Sequence, residues 1–376
     1  MKIACISASM IPGKTANAIQ AMKVCQALNQ VGHQVELWLP DFGKKFSWDQ
    51  ARQMYGIKRP FPVHRIPVWM PLGRYDFSFR AVSQARKWGA DLLYVWPLQA
   101  AAVGSRLGSP TLLEAHDAPQ GRLGPWLFNQ FLRGKGARRI LFTTHELGRY
   151  LASHYGENRI GELLCYGPNG VDLDRYQNLP SPPEARERLE LEDRFTAVYS
   201  GHLYSGRGAE LMFELAHRQP NIAFVWAGGS DEAVAEWKQR RDAEAVANLT
   251  ILGFVPNEEL PLVQAAADVL LMPYRERIEI SGGSGSARFA NPMKAFEYMA
   301  SGRAILSSDL PAIREILNEN IARLLPPADV EAWESELLAL QGDNAERERL
   351  ARAAREEASK YSWRRRAERA LANLDV

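Results

Sequence analysis

The chain has 376 residues, more than one ordinary domain and enough for two that each bury a core. Lys and Arg number 46 against 44 Asp and Glu, so the net charge of +2 gives no electrostatic preference for nucleic acid or an acidic membrane. Three scattered cysteines, Cys5, Cys25 and Cys165, make neither a disulfide framework nor a metal-ligand spacing and suit a reducing cytoplasm.

Lys2 to Ser7 reads as a short buried strand, too short for a signal segment, and no apolar run approaches the ~18 residues of a membrane span. A soluble, cytoplasmic protein is expected. A loop with Pro12 and Gly13 follows, then a helical face of Ala18, Ala21, Met22, Cys25 and Leu28 ending near Gly32, then a strand from Val35 to Leu39. This βαβ opening predicts a parallel sheet whose binding edge lies at the strand carboxyl ends, beside the Met10 to Thr15 loop. Gly13-Lys14-Thr15 suggests a P-loop, but Ala8 stands where that motif needs glycine and Pro12 removes a donor, which disfavours an NTPase.

Phe46 to Lys87 is irregular and rich in aromatics and arginines (Trp69, Arg74, Tyr75, Phe77, Phe79, Arg80). It fits an acceptor-facing surface or a plain loop with an amphipathic helix. Asp91 to Trp96, Pro110 to Glu114 and Arg139 to Thr144 read as further buried strands. His116, in Glu114-Ala115-His116-Asp117, falls at a strand end, where an open α/β sheet presents functional groups. His145 and Glu146 stand at the next strand end, Glu146 equally readable as a first-turn helix charge. Pro125 to Arg139 puts aromatics beside basic residues. The reading as a helix with core aromatics is preferred over a peripheral contact with the inner membrane face.

Pro168-Asn169-Gly170-Val171-Asp172 is a tight-turn sequence. Asp172-Leu173-Asp174 offers an Asp-x-Asp pair, but nothing nearby supplies the other oxygen ligands a hard cation needs, so no metal site is assigned. Leu179 to Arg194, rich in Pro and charge, reads as linker plus a short exposed helix.

The second half begins again with a strand, Phe195 to Ser200, and a glycine-rich turn, Gly201 to Gly208. Arg207 in that turn is suited to gripping phosphate oxygens in a bidentate manner. Phe224 to Ala227 with Gly228 and Gly229, Ile251 to Pro256, and Ala266 to Pro273 continue the alternation. The Gly/Ser loop Ser281 to Ser286 then feeds a helix, with Asn291 as N-cap, Pro292 at the first position and Gly302 ending it. Glycines ahead of helix N-H groups suit an anion such as a diphosphate. Met293, Phe296, Met299 and Ala300 form the apolar arc, with Glu297 at its edge and Lys294 farther round. Alone, the segment is also a plain helix with an edge glutamate after a flexible loop.

Asn-Pro-Met-Lys-x-Phe-Glu-Tyr-Met-Ala at 291–300, Pro-Asn-Gly-Val-Asp at 168–172 and the Gly-rich turn at 201–208 together resemble retaining glycosyltransferases of family 4, which have the GT-B fold. The resemblance covers nearly the whole chain. It implies two Rossmann-like α/β domains with parallel sheets facing an interdomain cleft: an acceptor-side domain over 1–178, a linker over 179–194, a nucleotide-sugar domain over 195–358, and a helix over 359–376 crossing back. It implies a nucleotide diphosphate sugar as co-substrate, no further cofactor, and a sugar or lipid-linked acceptor. His116 would contact the donor sugar near the reacting carbon. Arg207, at the family's lysine position, and His202 would hold the diphosphate. Gly13 and Gly228 would let backbone approach the ligand, Phe254 and Val255 would meet the nucleobase through backbone, and Asn291 to Lys294 would form the phosphate-facing helix end. Glu297 would bind the ribose. Phe289 stands where the family usually has its first glutamate, and His202 replaces a stronger base. A catalytically silent nucleotide-binding protein or a sugar-nucleotide epimerase are the alternatives.

Overall fold

The computed structural model describes residues 1–68, 74–280 and 283–375. The chain forms two compact units, Met1–Asn169 joined by Trp363–Val376, and Gly170–Ser362.

The first unit is built on strands β1 (Lys2–Ile6), β2 (Gln34–Asp41), β3 (Val63–Pro67), β4 (Leu92–Val95), β5 (Thr111–Ala115), β6 (Ala137–Phe142) and β7 (Leu164–Tyr166). They make one 7-stranded parallel sheet in the order β3-β2-β1-β4-β5-β6-β7. Its central strands are apolar throughout because helices cover both faces, leaving no side for polar alternation. Glu114, fully enclosed in β5, breaks that rule. The helix Trp363–Leu371 returns to this unit and packs against the helix Ala16–Gln30.

The second unit holds β8 (Thr196–Ser200), β9 (Ala223–Ala227), β10 (Leu249–Gly253), β11 (Val269–Met272), β12 (Arg277–Ile280), β13 (Gly283–Ser286), β14 (Ala304–Ser308) and β15 (Arg323–Leu325). Six of these form a sheet in the order β10-β9-β8-β11-β14-β15, all parallel. Successive residues feed two cores, Val198, Leu270 and Ile305 to one face with Phe296 and Met299, and Tyr199, Leu271 and Leu306 to the other with Trp226 and Trp333. In both sheets the order reverses beside the first strand, which creates a crevice at the strand carboxyl ends.

Three local expectations change. The 283–286 part of the Gly/Ser segment is not loop: β13 pairs antiparallel with β12, residues 277–280. Ser281 and Gly282, like Trp69, lie outside the described residues. The helix in the 179–194 segment, Pro182–Arg188, is packed and not exposed, since Ala185 is buried and Arg186 ion-pairs with Asp268 at 3.0 Å. The first unit ends at Asn169 because Val171 and Tyr176 bury themselves among Phe296 and Met299 of the second unit's core.

Candidate functional site

In the second unit β8 and β11 are the neighbours at which the strand order reverses, and three segments meet at their carboxyl ends. After β8, the turn ends at Gly208, whose φ of +83 favours glycine and whose added Cβ would lie 2.0 Å from Pro273 O. That close approach brings the neighbouring Arg207 over the ring of Tyr274, just beyond β11, with the guanidinium 4.8 Å from the centroid. Lys294, second residue of the helix Met293–Ser301, reaches the same place. Its Nζ is 5.1 Å from the Tyr274 centroid and 3.8 Å from that of Tyr199.

Lys294 is 9% exposed, and its Nζ has no hydrogen-bond partner among the described residues. Burial, then the Arg207 cation, push its pKa well below the usual lysine range, while Glu297 one turn on partly opposes them. Gly201 leaves room for this amine, since a Cβ there would lie 2.4 Å from Lys294 Nζ. Two cations from separate segments thus converge on one aromatic floor. Sequence reading missed Tyr199 and Tyr274, which carry no motif.

The helix begins one residue later than expected. Pro292 itself is the N-cap, extended at ψ 127, and no side chain caps the helix, so Asn291 does not fill that role. Proline disfavours helical backbone at the residue before it, which keeps Asn291 outside the helix. Gly302 ends the helix in the left-handed region as expected. Lys294 turns inward with Tyr298 and Ser301, at i, i+4 and i+7, while Met293 and Glu297 are half-buried. The helix is therefore buried on more of its circumference than the apolar arc implied.

The other donor-side positions vary. His202 is half-buried, stacked on Tyr204 with ring centroids 4.7 Å apart, and its carbonyl accepts from the Tyr199 hydroxyl at 2.6 Å. Gly228 has a φ of +122 and donates its N-H to Gly253 O at 2.6 Å. A Cβ on Gly228 would strike Gly201 O at 2.2 Å, so this glycine lets two turns approach each other. Phe254 and Val255 follow β10, half-buried. Phe289, at the missing glutamate's position, is buried.

In the first unit, Gly13 N-H donates to the Tyr55 hydroxyl at 2.7 Å, and that hydroxyl donates back to Gly13 O at 3.0 Å. The loop's glycine amide is thereby engaged. Burial drives the Tyr55 phenol pKa up to about 12. His116 lies one residue past β5, two from Glu114 and on the same side of the strand, its Nε2 2.6 Å from Glu114 Oε1. Both line a cavity of about 170 Å³ with Trp96, Asp117 and Phe128. Burial alone would raise the Glu114 pKa, but Arg366, 2.7 Å away, and the His116 contact hold it well below the carboxylate range.

Arg366 is 3% exposed because it shares a stripe with Trp363, Ala367 and Ala370. That i, i+3, i+4, i+7 spacing was the available signal. His145 opens the helix His145–Tyr155 and stacks on Tyr166 at 3.9 Å, while Glu146 pairs with Arg149 at 2.7 Å. In the helix Gly124–Leu132, Phe128 and Phe131 are core and Trp126 is exposed. Among the described residues no helix is long and apolar enough to cross a membrane, and no group of three or more His, Cys, Asp or Glu could hold a metal ion.

Comparison with known proteins gives matches in both halves. Residues 195–343 match the family model described as Glycosyl transferases group 1, and residues 18–175 the one described as Glycosyltransferase Family 4. A GDP-mannose-dependent alpha-(1-6)-phosphatidylinositol monomannoside mannosyltransferase of Mycobacterium tuberculosis is 27% identical over 259 residues, 65% of each chain. The chain therefore spans less than two thirds of that relative. The phosphatidyl-myo-inositol mannosyltransferase of Mycolicibacterium smegmatis is 23% identical over 94% of this chain and 87% of its own. Among solved structures, Anabaena HepE in complex with UDP and glucose superposes with a TM-score of 0.76 at 16% identity, covering 100% of both chains. Sucrose-phosphate synthase from Thermosynechococcus elongatus gives a TM-score of 0.75 at 18% identity over 97% of this chain and 96% of that one.

Proposed function

We infer that this chain, which belongs to the glycosyltransferases of the GT-B fold, moves a sugar from a nucleoside diphosphate sugar to an acceptor hydroxyl with retention of configuration. The observation that carries this reading is the convergence of Arg207 and Lys294 on Tyr274, with the Lys294 amine buried and without a hydrogen-bond partner among the described residues. A buried cation without an anion is unfavourable, and a diphosphate is the anion this place suits. As the bond from the anomeric carbon to the diphosphate breaks, negative charge grows on the leaving oxygen. Arg207 and Lys294 stabilise it there. Lys294 then supplies the second positive charge where His202 replaces the family's stronger base. Glu297 accepts hydrogen bonds from the ribose hydroxyls.

The resemblance gives His116 contact with the donor sugar near the reacting carbon, and that role is part of this proposal. Retention follows if the departing phosphate takes the acceptor proton on the face it leaves, so that the new bond forms on that same face. Nothing in the comparisons favours the epimerase or the silent binding protein.

The Mycobacterium tuberculosis relative is GDP-mannose-dependent, and HepE holds UDP. GDP and UDP are accordingly the first ligands to test, against ADP, CDP and dTDP, for a rise in melting temperature. Sugar nucleotides of the stabilising base are then tested for consumption. One base is expected to stabilise, and Arg207→Ala to remove both that stabilisation and about 100-fold or more of the transfer rate. Indifference of the wild type to all five diphosphates, or of transfer to Arg207→Ala, would sink the reading.

A further inference from the structure

Glu114 is an enclosed carboxylate in a strand of otherwise apolar side chains, and four groups from different elements donate to it. Tyr94 of β4 donates to Oε2. Oε1 receives Gln20 of the helix Ala16–Gln30, His116 at 2.6 Å and Arg366 at 2.7 Å. Arg366 also donates to the Tyr94 hydroxyl at 3.1 Å and to Pro168 O at 2.9 Å. The last residues before the chain leaves this unit, and the helix on which it returns, both end on this cluster.

The cluster determines where the His116 proton sits. Trp96 Nε1 can only donate, and it lies 3.0 Å from Gln20 Oε1, which identifies that atom as the amide oxygen. Gln20 Nε2 is therefore the NH2 group. Its two hydrogens go to Glu114 Oε1 and, at 3.4 Å, to Asn169 Oδ1. Neither is left for His116. The 3.1 Å approach of Gln20 Nε2 to His116 Nε2 is a contact between two donors sharing one carboxylate oxygen. An ionised carboxylate has no hydrogen to give, so His116 Nε2 carries a proton, and in the neutral ring Nδ1 is then the nitrogen with the lone pair.

We propose that Glu114 is the positioning residue of the transfer site: held ionised by Arg366, it fixes the ring orientation and Nε2-H tautomer of His116. The ring then meets the donor sugar with one defined nitrogen, and the C-terminal helix belongs to the site through Arg366. This rests on the reading of His116 as a donor-sugar contact. The logic is that of an orienting carboxylate behind a histidine, whose loss leaves the side chain present in the wrong state.

The test compares wild type, Glu114→Gln, and Glu114→Gln/Arg366→Met, the last removing the buried guanidinium that Glu114→Gln leaves without its carboxylate. Long-range proton-nitrogen spectra, with the His116 signals assigned through His116→Gln, report the tautomer without any turnover. Wild type is expected as the Nε2-H form and both variants as mixtures. Transfer is expected to lose about 10- to 100-fold in kcat, with the donor KM within about twofold. A variant tautomer identical to wild type overturns the proposal. So does a mixed tautomer with unchanged kcat when His116→Ala abolishes transfer. His116→Ala with wild-type transfer instead overturns the role given to His116 itself, and the positioning claim with it. Arg366→Lys alone, which keeps both the charge and Glu114, is expected to keep the wild-type tautomer and most of kcat.

Discussion

Lys294 buries an amine between two phenol rings without a hydrogen-bond partner among the described residues, next to a guanidinium that repels its charge. Leaving a polar group in that condition costs about 1–3 kcal/mol. Lys294→Met, similar in length and apolar, is expected to raise the melting temperature of the empty protein by several degrees and to remove most stabilisation by a nucleoside diphosphate. The sign with pH follows from the lowered folded-state pKa. Between that value and the unfolded one near 10.4, the unfolded chain binds more protons, so the wild type gains stability as pH rises through the window. The advantage of the Met variant should therefore be largest near neutrality and shrink towards about pH 10; a gap independent of pH, or a variant that melts lower, would refute it. Arg207 was legible because a strand, a glycine turn and a helix frame it. The burial of Lys294 was not, since an apolar arc counts only apolar residues, and the helix turns Lys294 inward with Tyr298 and Ser301.

The turn between β8 and the helix Ala209–Arg218 works as a unit because its glycines permit contacts a side chain would block. At Gly208, φ is +83 and a Cβ would meet Pro273 O at 2.0 Å, so Gly208→Ala must push the turn away from the end of β11. Arg207 would then leave the Tyr274 ring. The expected cost is about 1–3 kcal/mol of stability together with at least a tenfold weaker nucleoside diphosphate affinity, measured by calorimetric titration. Gly342→Ala, with open space around it at the end of the helix Val330–Gly342, is the control and should change neither. Equal effects of the two substitutions would disprove the argument. Alternating short apolar runs and helical faces made the two parallel sheets legible. The β12–β13 hairpin was not, because a Gly/Ser-rich run carries no period-2 pattern from which pairing could be read.

Two units with separate cores imply that a buried ion pair in one supports that one alone. The sequence suggested two α/β halves, but it hid the bond between Glu114 and Arg366, 252 positions apart, because no local pattern links a strand carboxylate to a C-terminal helix. Their coupling makes a prediction for the whole molecule. Arg366→Met leaves the Glu114 carboxylate buried without its cation, a loss of about 3–5 kcal/mol at neutral pH. In the wild type the Glu114 pKa lies below its unfolded value, so its contribution is complete above the usual carboxylate range and is lost as pH falls below about 4–5. In the variant burial raises the pKa instead, and protonation relieves the buried charge, so the deficit relative to wild type should narrow from pH 7 to pH 4. Hydrogen exchange resolves the two units. At pH 7 the variant should lose amide protection in β4, β5 and the helix Trp363–Leu371 while β8, β9 and β11 keep theirs. Uniform loss across both sheets would mean that the pair supports more than the first unit, and an unchanged deficit at pH 4 would mean that Glu114 is not the group Arg366 holds ionised.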